Sequence, residues 1–138
     1  MSDDQHIERE IDLDQPVDQV WALLATAEGW RQWLVDDVTI DVAVGAVGEV
    51  VDDEVRRNVR VMGVEAKRSL TFQWWERDDP ASASEVAIHL FDLPDGGSRV
   101  HVVERPLIAS AGARTAQPSV WEVRACLLAL AAQTLVRA

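Results

Sequence analysis

The sequence predicts an α+β fold: one strand, two short helices, an antiparallel meander of strands and a long C-terminal helix. Three observations predict it. Apolar residues recur at helical spacing only within residues 14–35 and after residue 117. From residue 38 to 107 the period is two instead. Turn signals punctuate that stretch without an intervening helix, so sequential strands pair antiparallel.

Residues 6–13, HIEREIDL, alternate apolar and charged positions and read as the first strand. In DQPVDQVWALLAT, Asp14 or Gln15 can cap a helix, Pro16 suits its first turn, and Asp18 complements its dipole. Val17, Val20, Trp21 and Leu24 form its apolar stripe. Thr26 can cap a second helix, AEGWRQWLV, whose Trp30, Trp33 and Leu34 share a face. The strands that follow read VTIDVAV (38–44), GEVVDDEV (48–55), NVRVMGVE (58–65), SLTFQWWE (69–76), SEVAIHLFDL (84–93) and SRVHVVERPL (98–107). The turns fall at Gly45–Gly48, Asp52-Asp53, Ala66–Arg68, Asp78–Ala81 and Pro94–Gly97. Residues 108–117 are an Ala-, Ser- and Gly-rich loop. The last element, from Pro118, is Leu- and Ala-rich, with Ser119 and Glu122 at capping-box spacing. Trp121, Ala125, Leu128, Ala132 and Leu135 run along one stripe of it, widened by Val120, Val123, Leu127 and Leu130.

The chain has 138 residues, the size of one domain, so residues 1–138 are expected to fold as a unit. Thirteen basic against 24 acidic residues give a net charge of −11. That excludes nucleic acid as the expected partner, since duplex binding rests on Lys and Arg neutralising phosphates. It equally disfavours anionic membrane surfaces. No apolar run approaches the ~20 residues of a membrane span. MSDDQHIERE is acidic and lacks an apolar core, so a cytoplasmic location is expected rather than secretion. Cys126 is the single cysteine, which rules out an intramolecular disulfide and a cysteine metal site; its helical context reads as a small core residue. The six Trp, two Phe and absent Tyr are an unusual aromatic set. Trp carries one N–H donor on a large apolar body and suits nearly dry places.

The order of elements, together with three stretches, resembles the helix-grip fold of the SRPBCC superfamily (START-related, Bet v 1-like). More narrowly, the chain is similar to bacterial relatives of the Hsp90 ATPase activator C-terminal domain. IDLDQPVDQVWALLATAEGWRQWL carries the opening, with Pro16, Val20, Trp21, Trp30 and Trp33. VMGVEAKRSLTFQWW carries the central hairpin, with Val64, Glu65, Arg68, Leu70, Phe72 and Trp74, although Ala66 replaces a common proline. SEVAIHLFDLPDGGSRVHVVE carries the last hairpin. The resemblance implies a curved antiparallel sheet of six to seven strands around the long C-terminal helix, with two short helices after strand 1. It implies an internal cavity between sheet and helix for a small apolar or amphipathic molecule. It leaves open a polyketide cyclase-like enzyme, or a protein-interaction role in stress response like that of the chaperone activator. Homodimerisation is compatible with any of these.

Parity assigns the inner face of the sheet. Leu70, Phe72 and Trp74 share one side of their strand, and Thr71, Gln73 and Trp75 the other. The apolar set faces the helix, so Trp74 points inward and Trp75 outward or to the rim, unless a bulge intervenes. A three-residue loop Pro94-Asp95-Gly96 pairs Leu93 with Gly97. That register places Val86, Ile88, Leu90, Val100, Val102 and Glu104 inside, and sets His89 opposite His101 outside. The expected ligand-binding aromatics are Trp30, Trp33, Phe72, Trp74 and Trp121. Ile88, Val102, Leu128 and Glu104 complete that expected wall. Glu104 is the one inward carboxyl group and must be paired, hydrogen-bonded or protonated. It is thus either a structural partner of an arginine or a polar anchor, and it is the single acid–base candidate. Gln73 would add polarity only if it turned inward. Two histidines fall short of the three or four ligands that a zinc site needs, so no metal is expected, and no cofactor motif is present. The paired acids Asp36-Asp37 and Asp52-Asp53 read as solvated turn residues.

Overall fold

The computed structural model describes residues 7–107, 124 and 127–129. The elements are β1 (Ile7–Leu13), α1 (Val17–Leu24), α2 (Ala27–Trp33), β2 (Asp37–Thr39), β3 (Val47–Asp52), β4 (Val55–Glu65), β5 (Ser69–Glu76), β6 (Asp79–Asp92) and β7 (Ser98–Pro106). The seven strands form one curved antiparallel sheet in the order β1-β7-β6-β5-β4-β3-β2, the sheet of a helix-grip α+β fold. Residues 124 and 127–129 of the C-terminal segment are helical. Leu128 belongs to the core that the sheet's inner face builds with α1 and α2. Trp121, Cys126 and the expected capping box at Ser119 lie outside the described residues.

Alternation decides the inner face. Val59 and Val61 of β4, Leu70, Phe72 and Trp74 of β5, and Val86, Ile88 and Leu90 of β6 are all buried, with more exposed residues between them. A bulge between Val61 and Gly63 leaves Met62 unopposed and exposed, so Val61 and Val64 both turn toward the core side. The β6–β7 hairpin has the expected register: Ile88 faces Val102, His89 faces His101 and Val86 faces Glu104. The Leu93 N–H donates to the Gly97 carbonyl across its loop. Trp75 stands opposite Asn58, half-buried, on the face away from Trp74.

Four local expectations are corrected. The strand expected over 38–44 shrinks to Asp37–Thr39. The Ala43 N–H turns back to the Asp41 carbonyl, and Gly45, at φ 88°, redirects the chain so that its N–H meets Val61. β6 begins at Asp79, not Ser84, because the hairpin turns at Arg77-Asp78 with Glu76 opposite Asp79. Ser82 holds that irregular stretch, taking the Glu76 N–H and donating to the Asp79 carbonyl. Neither Asp14 nor Gln15 caps α1; Pro16 occupies the N-cap with no side-chain bond. Leu23 rather than Trp21 completes the buried stripe of that helix, and Trp21 is only half-buried. Thr26 does cap α2, its hydroxyl accepting the Gly29 N–H at 2.9 Å.

α1 and α2 meet with almost no space between them. A Cβ on Gly29 would fall 2.6 Å from the Ala22 carbonyl oxygen and from Leu23 Cα, both backbone atoms. Gly29→Ala is therefore expected to cost about 1–3 kcal/mol in urea unfolding, the range for an overpacked core. Gly63→Ala, whose nearest neighbour would be the Thr71 Cβ at 3.9 Å, should change stability by less than about 1 kcal/mol.

Candidate functional site

The two tryptophans of α2 are placed by their indole N–H groups. Trp30 Nε1 donates to the Leu24 carbonyl at 2.7 Å and Trp33 Nε1 to the Leu23 carbonyl at 2.9 Å. These are carbonyls of the last turn of α1, which no helical N–H can reach. The indoles thus cap α1 from outside, and each finds a partner for its one donor while buried. The Trp30 ring then meets Phe72 at 5.0 Å between centroids, and Phe72 meets Trp74 edge-on at 5.1 Å. Such pairs add about 0.5–1.5 kcal/mol each beyond their buried area.

Beyond Trp74 the inner face becomes polar. Trp74 Nε1 donates to Glu104 Oε2 at 2.9 Å and lies 3.1 Å from the Ser84 hydroxyl oxygen. The Ser84 hydroxyl also donates to Glu104 Oε2. Glu104 is 3% exposed and Ser84 4%. Over the Trp74 ring lie two guanidinium groups, Arg57 from β4 at 5.1 Å and Arg124 from the C-terminal segment at 5.2 Å. Cations over an indole face are attracted by its quadrupole, more strongly when water is excluded. Arg124 Nη2 donates to Asp52 Oδ2 at 2.9 Å, tying the helical segment to the end of β3. Burial pushes the Arg124 guanidinium below its ordinary proton affinity, and Asp52 opposes that shift. An arginine remains a cation under such a shift.

Arg124 is also one wall of a cleft of about 420 Å³. Trp33, Leu34 and Val35 at the end of α2 form its apolar side, with Arg31 and Gln32 beside them. Asp36, Asp52 and Leu127 complete the rim. Leu127 is 41% exposed there, not buried as the helical stripe suggested. Arg31 braces this corner through Asp37 at 3.1 Å and the Val38 carbonyl at 2.9 Å. The Arg31 guanidinium, helped by the Val38 N–H, holds the Asp37 carboxyl below the usual carboxylate range.

Of the residues expected from sequence, Trp33 lines this cleft. Trp30, Phe72, Ile88 and Leu128 are packed in the core, with Val102 and Trp74 at its edge. Glu104 is inward, as parity implied, held by Trp74 and Ser84. Trp121 lies outside the described residues. Gln73 faces outward and donates to Glu85 at 3.2 Å, and Asp52 is an ion-pair partner rather than a solvated turn acid. On the outer face the His89 and His101 rings stand 6.3 Å apart, and His101 meets Glu8. Arg57, Ser84 and Arg124 were not singled out from sequence. Each was within reach of it, because Arg57 shares the parity of Val59, Ser84 that of Val86, and Arg124 lies one turn before Leu128.

The sequence profile of the family described as Activator of Hsp90 ATPase homolog 1-like protein matches residues 14–125. The chain belongs to this family. The match spans α1 through Arg124, so both α2 tryptophans and the Trp74–Glu104–Arg124 cluster lie within the matched residues. No curated protein sequence matches the chain. Solved structures share the fold of this chain at low identity. DynU16, a protein of the dynemicin biosynthetic locus, is 21% identical with a TM-score of 0.81; the match covers 95% of this chain and 48% of that one. The chain thus spans about half the length of DynU16. CalU16 from Micromonospora echinospora is 20% identical with a TM-score of 0.68, covering 96% and 79% of the two chains. The Aha1 dimer from Colwellia psychrerythraea is 14% identical with a TM-score of 0.64, covering 78% and 80%. Among the described residues no helix is long and apolar enough to cross a membrane.

Trp74 and Glu104 should behave as one unit. Trp74→Phe, which deletes the N–H donor, is expected to destabilise the fold by about 1–3 kcal/mol in urea unfolding. Combined with Glu104→Leu, the two losses should fall short of additivity by about 0.5–3 kcal/mol. Strict additivity would mean that the Trp74–Glu104 bond contributes nothing.

Proposed function

We propose that this cytoplasmic protein, folded as a single domain, binds a small amphipathic molecule between the end of α2 and the helical residues Arg124 and Leu127. One observation carries the reading: the cleft sets the apolar wall of Trp33, Leu34 and Val35 directly against the buried cation Arg124. Small-molecule sites combine a mostly apolar lining with a few fixed polar groups in this way. Arg124 is pre-organised by Asp52 and by the Trp74 face, so a ligand need not order it on arrival. Leu127 stands at the rim, where it can close over an apolar body. Family membership points equally to an activator-like role, and the fold by itself does not choose among binding, cyclase-like and activator-like roles. Binding is preferred over catalysis because Glu104, the one buried carboxyl group among the described residues, already accepts from Trp74 and Ser84 and acts through the ring it positions. General acid–base work needs a group within hydrogen-bond reach of the substrate.

Native mass spectrometry of the purified chain should show a retained small molecule, and aromatic or fatty-acid ligands should quench tryptophan fluorescence through Trp33. Leu127→Gln changes an exposed residue and should leave the melting temperature in place. It should weaken ligand affinity about tenfold, equivalent to ~1.4 kcal/mol. Neither retained ligand nor quenching across both ligand series would refute the reading.

A further inference from the structure

We propose that Arg57 and Arg124, gathered over the Trp74 ring, form a subsite for the carboxylate headgroup of an aromatic or aliphatic acid. The inference rests on the cleft reading above and names the ligand's chemical class. Arg57 lies on the inner face of β4, in the parity of Val59 and Val61, where an apolar side chain would fit the pattern. Its Nη1 is buried and has no hydrogen-bond partner. A buried, charged N–H without an acceptor carries an uncompensated desolvation cost. The same guanidinium lies 5.1 Å from a ring that Arg124 approaches at 5.2 Å, so two cations share one indole. The nearby carboxylates already hold other donors, Asp52 the Nη2 of Arg124 and Glu104 the Trp74 and Ser84 groups, and neither accepts from Nη1 of Arg57. Burial lowers the proton affinity of Arg124, Asp52 and then Glu104 oppose this, and the Arg57 charge adds a last and smallest contribution to the lowering.

An acceptor placed between the two forks would satisfy Nη1 and relieve the repulsion together. A carboxylate fits best, because its two oxygens match the planar guanidinium fork and the bond is charge-assisted. A doubly charged phosphate would add repulsion with Asp52 and Glu104, which share the site. The chain as a whole carries −11 and disfavours anions at a distance. A preference for an acid over its neutral analogue must therefore come from cations at the cleft, and replacing Arg57 separates this pair from Arg31 on the other side. With its headgroup at Arg57 and Arg124, the acid's apolar body would lie along Trp33 and Leu127.

The test is calorimetric titration of the full chain with naphthalene-2-carboxylate and naphthalene-2-carboxamide, which differ in charge and scarcely in shape. The carboxylate should bind at least about tenfold more tightly. Arg57→Gln should erase that preference while holding amide affinity within about twofold, and Arg57→Lys should keep part of it, as a cation without the fork. Equal affinities in the wild type would overturn the carboxylate subsite and leave the cleft reading standing. A preference that survives Arg57→Gln would also overturn it, placing the anion elsewhere. If neither compound binds, the cleft reading falls and takes the subsite with it. Should Arg57→Gln lose its near-ultraviolet dichroism, the wild-type pair and Arg57→Lys still decide.

Discussion

Glu104 is buried in a wall built from valine and isoleucine, and its carboxyl group needs donors that such a wall lacks. The neighbouring strands supply them: Ser84 from β6 and the Trp74 indole from β5. Once Trp74 is turned to reach Oε2, its ring faces are set, and Arg57 and Arg124 settle over them. Arg124 then reaches Asp52 at the far edge of β3. Five strands and the C-terminal segment are thereby joined across the concave face. Removing Trp74 or Ser84 would leave the buried Glu104 carboxyl short of a donor, so these members depend on one another.

A second set of bonds positions the cleft. The Trp30 and Trp33 indoles close the open carbonyls of α1, and Gly29 lets the two helices touch backbone to backbone. α2 is therefore fixed relative to α1 by indole N–H groups and open carbonyls that satisfy one another. Its last turn presents Trp33, Leu34 and Val35 to the cleft, and Arg31 fastens the exit to β2. The rim residue Leu127 is thus one of the few large apolar side chains of the described residues left facing water. Rigid walls with a single exposed apolar rim suit a site that loses little entropy on binding.

Much of this was legible along the chain. The period-two stretches located β3 to β7, and parity put Trp74 and Glu104 on one face and Trp75 on the other. The loop Pro94-Asp95-Gly96 was enough to set the last hairpin's register. Where reading failed, a competing bond had won. The strand expected through Val42 and Val44 yielded to the turn at Gly45, and the turn expected at Asp78–Ala81 yielded to a tighter one supported by the Ser82 hydroxyl. Asp52 looked solvated because its partner, Arg124, lies 72 residues further on.

The sequence by itself determined the element order, the inward side of each central strand and the presence of one carboxyl group inside. Those follow from the fixed two-residue repeat of a strand and need no distant partner. It could not decide which side chains gather around that carboxyl group. Nor could it decide whether aromatic residues line a cleft or fill the core. Trp30 and Trp33 have the same residue type and the same helix, yet one is wholly packed and the other borders open space. That difference depends on how far the C-terminal segment stands from α2, a distance set by long-range packing and by the Arg124–Asp52 bond.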